Sequence, residues 1–94
     1  MFNKGKISSA LQSKKEVLEE QGYTFSKVSK SGWIWNGLGE HSSGRGSDEA
    51  EVVERAWSDA CEDAKRILSI PDETWARMGT PEQSQMISEA LQSR

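Results

Sequence analysis

Apolar and polar positions along this chain follow three different rhythms. Ile7, Ala10, Leu11, Val17 and Leu18 fall at three- and four-residue steps, with Lys14, Lys15, Glu16, Glu19 and Glu20 on the opposite side. That spacing predicts an amphipathic helix over 9–21. Ser9 followed by Gln12 resembles a capping box at its start, and Gly22 stands where a left-handed residue ends a helix. The period then shortens. Tyr23, Thr24, Phe25 and Val28 read as extended chain, Lys30-Ser31-Gly32 as a turn with Gly32 supplying a positive φ, and Trp33-Ile34-Trp35 as the returning strand of a β-hairpin. Trp33 and Trp35 are two residues apart and share a face, while Ile34 takes the other. A lone hairpin is marginal in water, so this one must pack on a helix. Residues 36–46 hold four of the eight glycines and read as a glycine-rich loop, with Leu38 extending the strand before it and 42–46 forming a mobile tip.

The third rhythm is the clearest. Ala50, Val53, Trp57, Ala60, Cys61, Ala64, Ile67 and Leu68 repeat at helical spacing across five turns, which predicts a central helix over 48–68. Ser47 is placed to cap it. Asp48, Glu49 and Glu51 suit the positive end of its dipole, and Lys65 and Arg66 the negative end. Beyond Pro71, residues 72–78 form a short helix containing Trp75 and closed by Gly79. Thr80-Pro81-Glu82-Gln83 then reads as a start signal, with Thr80 as N-cap and Gln83 completing a capping box, for a last helix that turns Met86, Ile87, Ala90 and Leu91 inward. The expected fold class is therefore α+β: a helix, a two-stranded antiparallel β-hairpin packed on a long central helix, a short helix and a C-terminal helix. Residues 1–6 are expected to be a flexible N-terminus, and no internal repeat is visible.

Ninety-four residues suit one domain, and the four tryptophans compensate for an apolar fraction of only 34%. A single cysteine permits no internal disulfide, no leader pattern opens the chain, and no apolar run is long enough to span a bilayer. The expected setting is a reducing cytoplasm, with no membrane contact. Residues 1–46 carry seven Lys/Arg against four Asp/Glu, and residues 47–94 carry five against eleven, which together give the net charge of −3. The acidic half argues against direct nucleic-acid binding.

Most site chemistry is excluded by residue supply. One histidine and one cysteine cannot complete a zinc site, which draws on four clustered ligands. Cys61 lies on the apolar stripe of the central helix, where burial raises a thiol pKa and makes the group inert; His41, in the glycine-rich loop, reads as solvated. Gly39 to Arg45 outlines a phosphate-binding loop, but the lysine is missing and Asp48, Glu49 and Glu51 sit where a phosphate would bind. No catalytic residue, cofactor or metal is expected. The carboxylates Asp59, Glu62 and Asp63 lie on the polar side of the central helix and read as a solvated face rather than an acid–base pair.

That face has a second use. Between Asp48 and Arg66 stand seven acidic and three basic residues, a row of charge suited to docking on a basic surface such as a groove built for nucleic acid. The candidate partner-binding residues are Glu51, Glu54, Asp59, Glu62 and Asp63. Trp33 and Trp35 join them as a hot spot if exposed, although on one strand face they read first as a cap on the central helix.

From Gly22 to Ala60 the text Gly-Tyr-Thr-Phe, then Gly-Trp-Ile-Trp-Asn-Gly, then Asp-Glu-Ala-Glu-Val-Val-Glu-Arg-Ala-Trp-Ser-Asp-Ala resembles small accessory proteins of phages and prophages. In these a Trp-x-Trp hairpin precedes an alanine-rich acidic helix, and many are host-takeover or anti-defence proteins, including inhibitors of CRISPR effectors and of recombination nucleases. The resemblance is one of style and carries over no functional residue. It implies a non-enzymatic protein that binds and inhibits a host protein or nucleoprotein complex. The alternative is a small regulatory or ligand-binding module that uses the hairpin or the glycine-rich loop. Unpaired edges of a two-stranded sheet also allow a homodimer.

Overall fold

The computed structural model describes residues 9–38 and 42–92; Ile7, the segment 1–6 and His41 lie outside them. The elements are α1 (Ser9–Glu20), β1 (Thr24–Ser29), β2 (Gly32–Asn36), β3 (Ser43–Gly46), α2 (Glu49–Leu68), α3 (Asp72–Arg77) and α4 (Thr80–Gln92). The fold is α+β, with the helices and the hairpin in the expected order. No helix among the described residues is long and apolar enough to cross a membrane.

The long helix α2 is the axis of the molecule. It buries Val52, Val53, Ala56, Trp57, Ala60, Cys61 and Ala64, so its apolar side is wider than the stripe read from spacing. Small residues at 56, 60 and 64 let neighbours approach closely. Helices α1 and α4 pack along one side through Leu11, Leu18, Ile87, Ala90 and Leu91, and the sheet packs along another through Trp35, with Tyr23 just before β1 beside it. Trp75 of α3 is buried in the same core.

Several local signals resolve differently from their sequence reading. The cap of α2 is Asp48, not Ser47: its Oδ1 accepts from Glu51 N at 2.8 Å, and Glu51 Oε1 in turn accepts from Ser47 N and Oγ at 2.7 and 2.9 Å. The last helix opens one residue earlier than expected. Gly79 N donates to Glu82, while Gln83 reaches away from the helix start and donates to the Trp75 carbonyl. Gly22 has the expected positive φ, of 107°, but Gly32 does not. A register shift between Lys27 and Ser29 absorbs the turn geometry, and Gly32 pairs with Ser29 as ordinary strand.

The main departure lies in the glycine-rich segment 36–46. Its second part, Ser43–Gly46, is a third antiparallel strand, and the sheet order is β1-β2-β3. Its residues lack β propensity but meet a steric demand. Gly46 lies opposite Trp33 and Gly44 opposite Trp35. A Cβ on Gly44 would stand 2.6 Å from the Trp35 indole nitrogen, and one on Gly46 2.9 Å from Val52 Cγ1. Glycine is the residue that allows β3 to lie beside a tryptophan and beneath α2.

Candidate functional site

The polar side of α2 holds all five carboxylates singled out by the sequence, but the fold treats them unequally. Glu51 belongs to the helix cap and pairs with Arg55 at 2.9 Å. The Ser47 backbone N–H, followed by the Arg55 guanidinium, holds its carboxyl down at about 2. Glu54 pairs across helices with Lys14 at 3.4 Å, and the Lys14 ammonium lies 5.4 Å from the centre of the Trp57 ring. Lys65 bridges Glu62 at 2.7 Å and Asp72 at 3.0 Å; these two carboxylates, Glu62 foremost, raise the lysine's pKa. Asp63 pairs with Arg66 at 2.6 Å. The row of negative charge is thus largely neutralised by its own neighbours, and its exposed pairs add little stability.

Asp59 differs. It pairs with no cation among the described residues, and its half-buried carboxylate accepts a hydrogen bond from Tyr23 Oη at 2.9 Å. Tyr23 is 2% exposed and stacks on Trp35, with ring centroids 6.2 Å apart and planes inclined by 20°. One carboxylate is therefore held at the junction of helix and sheet by an aromatic pair rooted in the core.

Around it opens a groove of about 380 Å³ between α2 and the β2–β3 edge of the sheet, lined by Arg55, Ser58, Asp59 and Glu62 from the helix and by Trp35, Ser43 and Gly44 from the strands. Its sheet wall contains a second unusual group. Trp35 is 6% exposed, yet its indole N–H has no hydrogen-bond partner among the described residues. A buried donor left unpaired costs about 1–3 kcal/mol, so its presence asks for an explanation.

The structure brings Asp59, Glu62 and Trp35 to one groove. Glu51 and Glu54 lie elsewhere on the helix surface, and Trp33 is a half-buried flank of the core. Phe25 pairs with Trp35 and Lys27 with Trp33, so both tryptophans occupy the sheet face turned to α2, as alternation predicts. Tyr23 and Ser58 were not legible as site residues, and Ser43 and Gly44 entered only as part of the glycine-rich loop of the alternative reading. A signal for Gly44 was present: Gly-x-Gly at 44–46 matches the two-residue period of Trp-x-Trp at 33–35.

Cys61 faces Trp75 and the core, and burial pushes its thiol up from 9.0 to about 11. That lowers the thiolate fraction at neutral pH about a hundredfold relative to the unfolded chain. Because a higher-pKa thiolate is also the stronger nucleophile, reaction of the native protein with a thiol-specific reagent should slow by about tenfold or more against the same protein in denaturant. Equal rates would contradict the buried position. Among the described residues no group of three His, Cys, Asp or Glu side chains is arranged to hold a metal ion. No protein-family model, curated protein or solved structure matches the chain.

Proposed function

We propose that the chain is a non-enzymatic interaction protein of the phage accessory type, which binds and inhibits a host protein or nucleoprotein complex in the cytoplasm, through the polar face of α2. A defence effector or a nuclease is the expected class of target, because such proteins present basic surfaces to nucleic acid. The observation that supports this reading best is Asp59: a carboxylate held by Tyr23, with no ion-pair partner among the described residues, beside a groove, on a rigid helix. Such a group loses little entropy on pairing with a cation, and charge placed this way steers association in a salt-dependent manner.

Charge reversal is a poor test, because lysine at 59 would abandon Tyr23 and lysine at 54 would face Lys14. Neutral isosteres remove charge and keep shape. A protein carrying Glu54→Gln, Asp59→Asn and Glu62→Gln should melt close to the parent, since substitutions at exposed sites such as 54 and 62 shift stability by about 0.5 kcal/mol or less and asparagine at 59 keeps an acceptor for Tyr23. Its affinity for a partner captured from host lysate should fall about tenfold or more, roughly 1.4 kcal/mol, and raised salt should mimic the loss on the parent protein. A partner bound equally by parent and triple variant, at low and high salt, would overturn the assignment of this face.

A further inference from the structure

The groove has an open roof, and the roof is a strand edge. Gly37 N donates to Ser42 O at the mouth of the β2–β3 ladder. Hydrogen-bonded and non-hydrogen-bonded pairs alternate in antiparallel sheets, so Gly44 and Gly46 direct their backbone groups to β2 while Ser43 and Arg45 direct theirs outward. No described residue bonds to those outward groups. The two edges of the sheet are not equivalent. The β1 edge carries Lys27 and an irregular register, with Lys30 in the turn that follows, devices that discourage pairing. The β3 edge has one cation, Arg45, and two glycines with no side chain to obstruct an approach.

We propose that the free edge of β3, with the groove beneath it, is a receptor for an extended segment of the partner protein, which adds as a fourth strand and places a basic side chain against Asp59. This rests on the reading of the protein as a binder and names what it binds. Two observations converge on one occupant. The outward backbone groups of Ser43 and Arg45 match another strand. Alternation sends every second side chain of that strand to the helix-facing side, past Gly44 and over Asp59, the groove carboxylate that pairs with no cation among the described residues. The Trp35 indole, buried in the same wall, reports occupancy of the groove. A basic peptide segment supplies a cation and backbone partners together.

The test uses the full chain, labelled for NMR, and a short capped peptide alternating threonine with arginine. Addition should shift the Trp35 indole N–H resonance and slow amide exchange at Ser43 and Arg45 about tenfold or more at saturation. Arg45→Pro removes one outward N–H without touching the β2 ladder and should abolish both effects, while Arg45→Val should keep them. Asp59→Asn should weaken the arginine peptide, and a peptide alternating threonine with glutamate should bind far more weakly. An indole shift without protection of Ser43 and Arg45 would overturn strand addition, as would full binding by Arg45→Pro. Equal binding of the glutamate peptide would overturn the basic side chain. Protection that instead rises with protein concentration alone, without peptide, would assign the edge to a second copy and overturn the proposal. With the captured partner, the two readings separate. If the triple isostere variant weakens binding and Arg45→Pro does not, the α2 face stands and the strand receptor falls. If neither weakens it, the α2 face falls as well.

Discussion

Trp57→Ala is expected to remove about 3–5 kcal/mol of stability, the range for truncating a buried large aromatic. Trp57 is 6% exposed and lies on α2 in the main core cluster. Its ring also carries the Lys14 ammonium, a contact worth about 0.5–1 kcal/mol at a partly exposed site. A domain of this length has roughly 5–14 kcal/mol in total, so the variant should lose its cooperative transition or melt some 15–30 °C lower. Differential scanning calorimetry and urea titration both read this. A cooperative melt within a few degrees of the parent would contradict the placement of Trp57 in the core.

Trp35→Ala should cost a similar amount, about 3–5 kcal/mol, for a reason particular to its surroundings. The indole is stacked on Tyr23 and lies against Gly44, which has no side chain to move into the vacated volume. Cavities that cannot collapse are the costly ones. Trp35→Phe should cost far less, because it keeps a ring against Tyr23 and removes the unpaired indole donor, whose burial itself costs about 1–3 kcal/mol. Trp33→Ala, at a half-buried position, should fall between the two. Urea midpoints at constant slope give this ranking. If Trp33→Ala proved as damaging as Trp35→Ala, the two tryptophans would be equivalent anchors and Trp35 would have no special relation to the groove.

The shared location of these effects links stability to the proposed function. Tyr23 and Trp35 hold Asp59 in place, and Trp35, with Tyr23 beside it, also forms the sheet's contact with the central helix. A variant that loosens this pair will weaken partner binding through geometry even with every charge present. Binding measurements on Trp35 variants therefore need to be read beside their melting curves, whereas Asp59→Asn keeps the Tyr23 acceptor and isolates the charge.

Local chemistry and periodicity determined much of this protein. The helical stripe from Ala50 to Leu68, the acidic start and basic end of α2, the hairpin with Trp33 and Trp35 on one face, and the burial of Cys61 all follow from spacing. Each depends on interactions within a few turns or on one apolar face seeking cover. Three features were decided only by tertiary structure. The strand Ser43–Gly46 has no propensity of its own, and its glycines read as a mobile loop until Trp35 and Val52 are brought against them. The acidic face reads as a free row of charge; Arg55, Lys65 and Arg66 answer Glu51, Glu62 and Asp63 within α2, but only the packing of α1 brings Lys14 to Glu54 and leaves Asp59 apart. Asp59 is one carboxylate among many in sequence. It becomes distinct because Tyr23, far off in the chain, reaches it with a hydroxyl instead of a cation. Hydrophobic period is written residue by residue, whereas steric room beside a tryptophan and the pairing of charges depend on which distant segments meet.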